Sequence, residues 1–314
     1  MSPTNSKIIG PNIKNNMRDI IAKSPTLSSS ASTTTPPLDL DKLTDKYRHS
    51  SKRIMFFDYD TNSQALYHLK GTLTPIRSRP DDAIPSEEMI AYLKALCKNH
   101  DNTIWVISGR DEAFLEKHLG HIPNLGLSAE HGCFIRDPGS PTWVNLAEEI
   151  DMEEWKARVA KVFQRYTDTT PGSFIENKKC ALTWHYRQAD EKLGLAKSKE
   201  CHQQLENEII PHFPVNVLVG KMNLEVRPSA LSKGEIVNNL LRKHNHADFI
   251  FCAGDDQTDE DMFKSIRQSK IVDQDATFSC LVGSNRSETQ ANFYVPSPAE
   301  IVNVLNVMQK AVPK

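Results

Sequence analysis

Asp58 and Asp60 stand one residue apart at the end of an apolar run, Ile54-Met55-Phe56-Phe57. A second run, Phe249-Ile250-Phe251-Cys252, leads through Gly254 to Asp255 and Asp256, with Asp259 just behind. Ser108 and Arg110 follow the run 104–107, and Glu130 and His131 follow the strand-like piece 126–128. Lys233 opens a helix, where a cation is disfavoured unless an anion is held there too. Three or more carboxylates around one point need a divalent cation, and an all-oxygen shell suits Mg²⁺ better than Zn²⁺. With such an ion and Lys233 masking its charge, Asp58 could attack phosphorus. Asp60 could then protonate the leaving alcohol and later activate water. This is phosphoryl chemistry.

These residues converge only if the elements before them are parallel neighbours. The apolar runs have buried-strand length, and carboxyl ends of parallel strands are where open α/β sheets build sites. Helices separate the runs. Pro85-Ser86-Glu87-Glu88 begins one with Met89, Ile90, Leu93, Leu96 and Cys97 at helical spacing, and another buries Phe114, Leu115 and Leu119. Ser232 with Glu235 opens the Lys233 helix, Thr258 and Asp261 the next, and Ser297-Pro298 the last. The rhythm predicts an α/β, Rossmann-type parallel-sheet core with helices on both faces. Between 145 and 228 it changes. A helix capped by Asp151 and Glu154, a hairpin over 173–187, a polar helix and two more strands predict a smaller α/β cap domain. The expected organisation is a tail or linker over 1–40, core over 41–144 and 229–314, and cap over 145–228.

Each group has a plainer reading alone: a strand-to-loop turn for Asp58-Tyr59-Asp60, a helix cap for Ser108, a solvated helix start for Lys233. Their coincidence at four strand ends favours a site. Over the 314 residues the formal charge is -2, which lacks the basic footprint of nucleic-acid binding. No apolar run reaches membrane-span length and no signal-peptide stretch is present, so neither nucleic acid nor membrane is an expected partner. The six cysteines lack metal-site spacing and several sit in apolar runs, which points to a reducing, cytoplasmic setting.

Motif by motif the chain resembles the haloacid-dehalogenase-like phosphatases: DYD with GTLT at 58–74, ISGR at 107–110, Lys233 in SKGEIV, and GDDQTDEDMF at 254–263. It is most similar to the trehalose-6-phosphate phosphatase branch, above all the phosphatase portion of the fungal enzyme. The stretches LTPI (73–76), LGLSAEHGCFIR (125–136), TPGSFIENKKCALTWHYR (170–187) and NLEVRP (223–228) carry that likeness. The resemblance implies Mg²⁺-dependent hydrolysis of trehalose 6-phosphate through an aspartyl-phosphate. Asp58, Asp60, Ser108 and Lys233 would be catalytic, with Ser108 binding phosphate. Asp58, Asp60, Asp255 and Asp259 would serve the metal. Glu176, Lys178, Asn223, Glu225 and Arg227 of the cap would bind sugar, with Arg110, Glu130 and His131 where core meets cap. The alternatives it leaves are another sugar phosphate, or an inactive regulatory subunit; subunits of a trehalose-synthesis complex are the implied protein partners.

One departure is plain. The family motif runs DxDGTLT unbroken, whereas TNSQALYHLK (61–70) here separates Asp60 from Gly71. The insert has few apolar positions and is expected to be extruded, with Thr61 or a returning Thr72 supplying the motif's threonine.

Overall fold

The computed structural model describes residues 35–59, 71–74, 84–220, 222–283 and 288–311. Asp60 and the insert 61–70 therefore lie outside the described residues. Pro36 and Leu38 already pair with Tyr294, so the core's first contacts fall within the stretch read as a tail.

In chain order the core starts with α1 (Leu40–His49), β1 (Arg53–Asp58), α2 (Glu87–Cys97), β2 (Asn102–Ile107), α3 (Glu112–Leu119) and β3 (Leu125–Ala129). Two short strands follow, β4 (Phe134–Arg136) and β5 (Val144–Asn145). The smaller unit contains α4 (Glu153–Asp168), β6 (Phe174–Asn177), β7 (Leu182–His185), α5 (Glu191–Glu208), β8 (Val215–Gly220) and β9 (Asn223–Pro228). The core resumes with α6 (Lys233–Lys243), β10 (Phe249–Gly254), α7 (Asp259–Gln268), β11 (Thr277–Val282), β12 (Phe293–Val295) and α8 (Pro298–Ala311).

The core sheet has eight strands in the order β12-β11-β10-β1-β2-β3-β4-β5. From β12 to β3 every pairing is parallel, and β4 and β5 add on antiparallel. Side chains alternate across a strand, and β1 uses both faces. Met55 and Phe57 join the cluster built with α1, α2, α3 and α8, while Ile54 and Phe56 join the one built with α6 and α7. The order places β10, β1, β2 and β3 side by side, so the four strand ends singled out by the sequence are consecutive. Tight sheet packing also fixes Gly126, opposite Trp105 in the β2–β3 register. A Cβ there would stand 2.5 Å from the indole.

Sequence patterns missed β4, β5 and β12, which are two or three residues long and too short to show a period. Since Asn145 pairs with Phe134 in the core sheet, the change of unit comes after position 145. Two expected caps are also corrected. Met152 occupies the cap position of α4, and Asp151 instead accepts the Glu153 N–H (3.0 Å) in a turn ahead of it. The Thr258 hydroxyl turns back to donate to Asp256 Oδ1 (2.7 Å). Ser86, Asp111, Asp190 and Ser232 do cap their helices by accepting backbone N–H groups, each worth about 1 kcal/mol.

The second sheet, β6-β7-β9-β8, is antiparallel. One face carries Leu182, Trp184, Leu224 and Val226 against Trp155, Val159, Phe163, Cys201 and Leu205 of α4 and α5. The indole N–H of Trp184 donates to Thr167 (3.0 Å), so this tryptophan is a packing residue. Among the described residues no helix is long and apolar enough to cross a membrane, and all six cysteines are free and buried.

Candidate active site

The charged centre forms where β1 and β10 end and α6 and α7 begin. Asp58, the last residue of β1, and Lys233, the first of α6, are both fully buried. Lys233 Nζ donates to Asp58 Oδ1 (2.6 Å) and to Asp259 Oδ1 (2.9 Å). Asp259 opens α7 and folds its other oxygen back to accept the N–H groups of Asp255 (2.7 Å) and Asp256 (3.0 Å). That fold needs Gly254, since a Cβ there would lie 2.4 Å from Asp259 Cβ. Thr72 Oγ1 donates to Asp255 Oδ1 (3.1 Å), and Gly71 before it adopts φ +139°, so the motif threonine does return to the site.

Carboxylate oxygens of Asp58, Asp255 and Asp259 lie within 4.8 Å of one another, all buried. Buried carboxylates brought this close repel one another, and a cation among them relieves the repulsion. The all-oxygen donor set fits a hard divalent cation such as Mg²⁺.

Beside it, Ser108 follows β2. Its hydroxyl donates to the Tyr59 carbonyl (2.5 Å) and accepts the Arg110 N–H (3.0 Å). Arg110 lays its guanidinium over the Phe114 ring, 3.8 Å from the centroid. After β3 the chain takes a turn in which Glu130 (φ +44°), His131 (+55°) and Gly132 (+109°) are all left-handed. Two non-glycine residues in that region are strained. They are held by Glu130 N to Arg110 O (2.9 Å) and His131 N to Ser108 O (2.8 Å).

The other face of the second sheet is polar. Strand register puts Phe174 and Glu176, Thr183 and His185, and Asn223, Glu225 and Arg227 on it together. Glu225 Oε2 accepts from Lys178 Nζ (3.0 Å) and Thr183 Oγ1 (3.1 Å), and Oε1 faces His131 Nε2 at 3.8 Å. Burial alone would push the Glu225 carboxyl up, but Lys178, His131 and Arg227 together hold it well below the usual carboxylate range. The sign follows: its contribution is complete above about pH 4.3, the unfolded glutamate value. It is lost only as pH falls through the depressed folded value. Glu176 pairs with His185 Nε2 (2.8 Å), which holds its carboxyl down. Among the described residues Glu225 Oε1 and Arg227 Nη1 are buried and lack a hydrogen-bond partner, a costly state that a ligand hydroxyl would relieve.

Two clusters thus gather the candidates: Asp58, Ser108, Lys233, Asp255 and Asp259 at the strand ends, and Glu176, Lys178, Asn223, Glu225 and Arg227 on the polar face. Arg110, Glu130 and His131 lie on the loops between. Neither Thr183 nor His185 is among the candidates named from the sequence. Both share the parity of Glu225 across paired strands, and that alternation was the available signal.

The parallel core with its four loaded strand ends, together with the antiparallel cap sheet, defines the haloacid-dehalogenase-like phosphatase architecture. A family model described as trehalose-phosphatase matches residues 66–299, and the chain belongs to that family. A trehalose-phosphatase of Schizosaccharomyces pombe is 42% identical over 273 residues, covering 86% of this chain and 32% of its own length. The chain spans about a third of the length of the curated relatives it matches. The Aspergillus fumigatus trehalose-6-phosphate phosphatase structure superposes with TM-score 0.70 at 44% identity, covering 88% of this chain and 99% of that one. The C-terminal domain of the Candida albicans trehalose-6-phosphate phosphatase gives TM-score 0.78 at 40% identity, covering 89% and 100%.

Proposed function

We propose that this chain hydrolyses trehalose 6-phosphate to trehalose and phosphate through an aspartyl-phosphate on Asp58. The observation that carries the reading is the buried Asp58–Lys233–Asp259 centre, joined through the 130–131 turn to a polar cap face with unsatisfied buried groups. Asp58 attacks phosphorus, and Asp60 gives a proton to the leaving sugar oxygen and then takes one from water. Lys233 and the Ser108 hydroxyl, swung from the Tyr59 carbonyl, hold phosphoryl oxygens. Asp58, Asp60 and Asp255 would hold Mg²⁺, with Asp259 orienting both the lysine and the 255–256 loop. The ion would neutralise charge on the phosphoryl oxygens. Glu176, Lys178, Asn223, Glu225 and Arg227 bind sugar hydroxyls, with Arg110, Glu130 and His131 closing the gap between the domains. The core is proposed to begin by Pro36, to run through Asn145 and to resume over 229–314, with the cap as the segment between. Cysteine usage supports the cytoplasm, and subunits of a trehalose-synthesis complex are the partners this reading would add.

The test separates sugar from phosphorus. Glu225→Ala should lower kcat/KM for trehalose 6-phosphate by on the order of 100-fold and that for p-nitrophenyl phosphate by less than about threefold. Equal losses on both substrates, in a variant with the parent's circular dichroism, would remove Glu225 from sugar recognition. A second expectation concerns the insert. Thr72 already reaches Asp255, so deleting 61–70 joins Asp60 to Gly71 and restores the unbroken motif. The deletion variant should match or exceed the parent's kcat/KM, with any gain mainly in kcat. A folded but markedly slower variant would mean that the insert serves the site.

A further inference from the structure

Six cysteines could scatter at random through two cores, yet one pair spans the two domains. Cys133 follows the strained 130–132 turn of the core, and Cys180 sits in the loop of the β6–β7 hairpin of the cap. Both are buried, and their sulfurs lie within 4.8 Å of each other and of a Glu130 oxygen. A disulfide needs about 2 Å between sulfurs, so the remaining gap is short for two side chains that can rotate.

Both ends are positioned firmly. The Cys133 carbonyl accepts the Leu146 N–H (2.7 Å), and the turn before it is pinned by Gly132, whose added Cβ would lie 2.4 Å from Ile236. The Cys180 N–H donates to Glu130 Oε2 across the domain boundary (2.9 Å). Lys156 of α4 ties down the hairpin loop by donating to the Lys179 carbonyl (2.9 Å) and Asn177 Oδ1 (3.0 Å). Lys178 of the same loop reaches Glu225.

We propose that Cys133 and Cys180 form a reversible disulfide that latches the cap onto the core. The inference rests on the proposed function in one respect: a disaccharide phosphate can enter and leave only if the cap lifts from the core. The oxidant is a peroxide. One thiolate attacks the peroxide, its S–O bond forming as the O–O bond breaks, with loss of water. The second thiol then attacks that sulfenic sulfur, the S–S bond forms and a second water leaves. Two thiols and one hydrogen peroxide give one disulfide and two waters. A dithiol reverses the step.

The neighbourhood favours this over a metal site. The Cys180 thiol and burial push the Cys133 thiol up, and burial pushes Glu130 up, so the closed cluster favours protonated groups over the thiolates that a metal needs. The same effect protects the thiols while the cap is closed. Lifting the cap exposes Cys180 to solvent while Lys156, tied to the same hairpin loop, stays with it and favours its reactive thiolate; the sulfenic acid formed there meets Cys133 when the cap closes again.

The experiment treats the full chain with hydrogen peroxide, blocks free thiols and maps peptides without reduction, in parallel with turnover of trehalose 6-phosphate and p-nitrophenyl phosphate. A linked peptide containing Cys133 and Cys180 is expected, with at least about tenfold loss of trehalose 6-phosphate turnover as cap movement is blocked. Dithiothreitol should restore that turnover, and Cys180→Ser and Cys133→Ala should each keep their activity in peroxide. Cys180 lies in a loop, so its variant provides the test should Cys133→Ala fold poorly. Both cysteines remaining alkylatable would overturn the latch, as would a linked protein of full activity or a Cys180→Ser variant inactivated like the parent. The peptide map needs no substrate. A chain inactive on trehalose 6-phosphate before oxidation would therefore refute the proposed function while the map still judged the disulfide.

Discussion

Asp58→Asn is expected to fold as the parent does and to turn over less than about 1% as fast, because the covalent route is lost entirely. The amide has the same shape as the carboxylate, and its oxygen can still accept from Lys233 Nζ, now at 2.6 Å from Asp58 Oδ1. Lys233 also keeps Asp259 at 2.9 Å, so its charge is not stranded and stability should change little. An amide oxygen, however, is a poor nucleophile and cannot form the acyl phosphate. The loss should therefore be equal for trehalose 6-phosphate and for an aryl phosphate, unlike the selective loss expected of Glu225→Ala. A direct readout is available as well. Parent protein quenched in acid during turnover should carry a hydroxylamine-labile phosphate, and the variant should carry none. Labelled variant, or residual turnover of several per cent, would move the nucleophile elsewhere.

Much of this candidate site was legible in the sequence because its polar residues sit at strand ends. Apolar runs that stop abruptly at Asp58, Ser108, Glu130 and Asp255 announced both a buried strand and a polar loop. The adjacency of β10, β1, β2 and β3 was the condition left for structure to supply, and the observed order meets it. What stayed hidden depends on contacts between distant residues. The bond from Lys233 to Asp58 spans 175 positions, and no local pattern encodes which carboxylate an ammonium will meet. Thr183 looks like an ordinary strand residue until register sets it against Glu225. The caps at Asp151 and Thr258 failed for the opposite reason. Asp and Thr can also hydrogen-bond locally in turns, and there the turn prevailed over the helix start.

Replacing Lys233 with methionine is expected to cost both stability and turnover, by a route that tests the ion centre. The side chain is fully buried and of similar length, so the exchange keeps the packing and removes the ammonium. Asp58 and Asp259 then lose their shared cation, with a third carboxylate, Asp255, within 4.8 Å. Breaking a buried ion pair from one side typically destabilises by about 3–5 kcal/mol. A fall in the urea midpoint of that size is the expected result in metal-free buffer. Mg²⁺ should then raise the midpoint of the variant more than that of the parent. In the variant a cation bound among the carboxylates would replace the positive charge that the ammonium supplied, and binding to the folded state adds directly to its stability. Turnover should nevertheless stay at least about 100-fold below the parent at saturating Mg²⁺, because the ion cannot replace a donor preorganised at the phosphoryl oxygens. A Lys233→Met protein with the parent's midpoint and no extra response to Mg²⁺ would mean that these carboxylates do not form a common cation site. A variant with near-parental turnover would remove Lys233 from the chemistry.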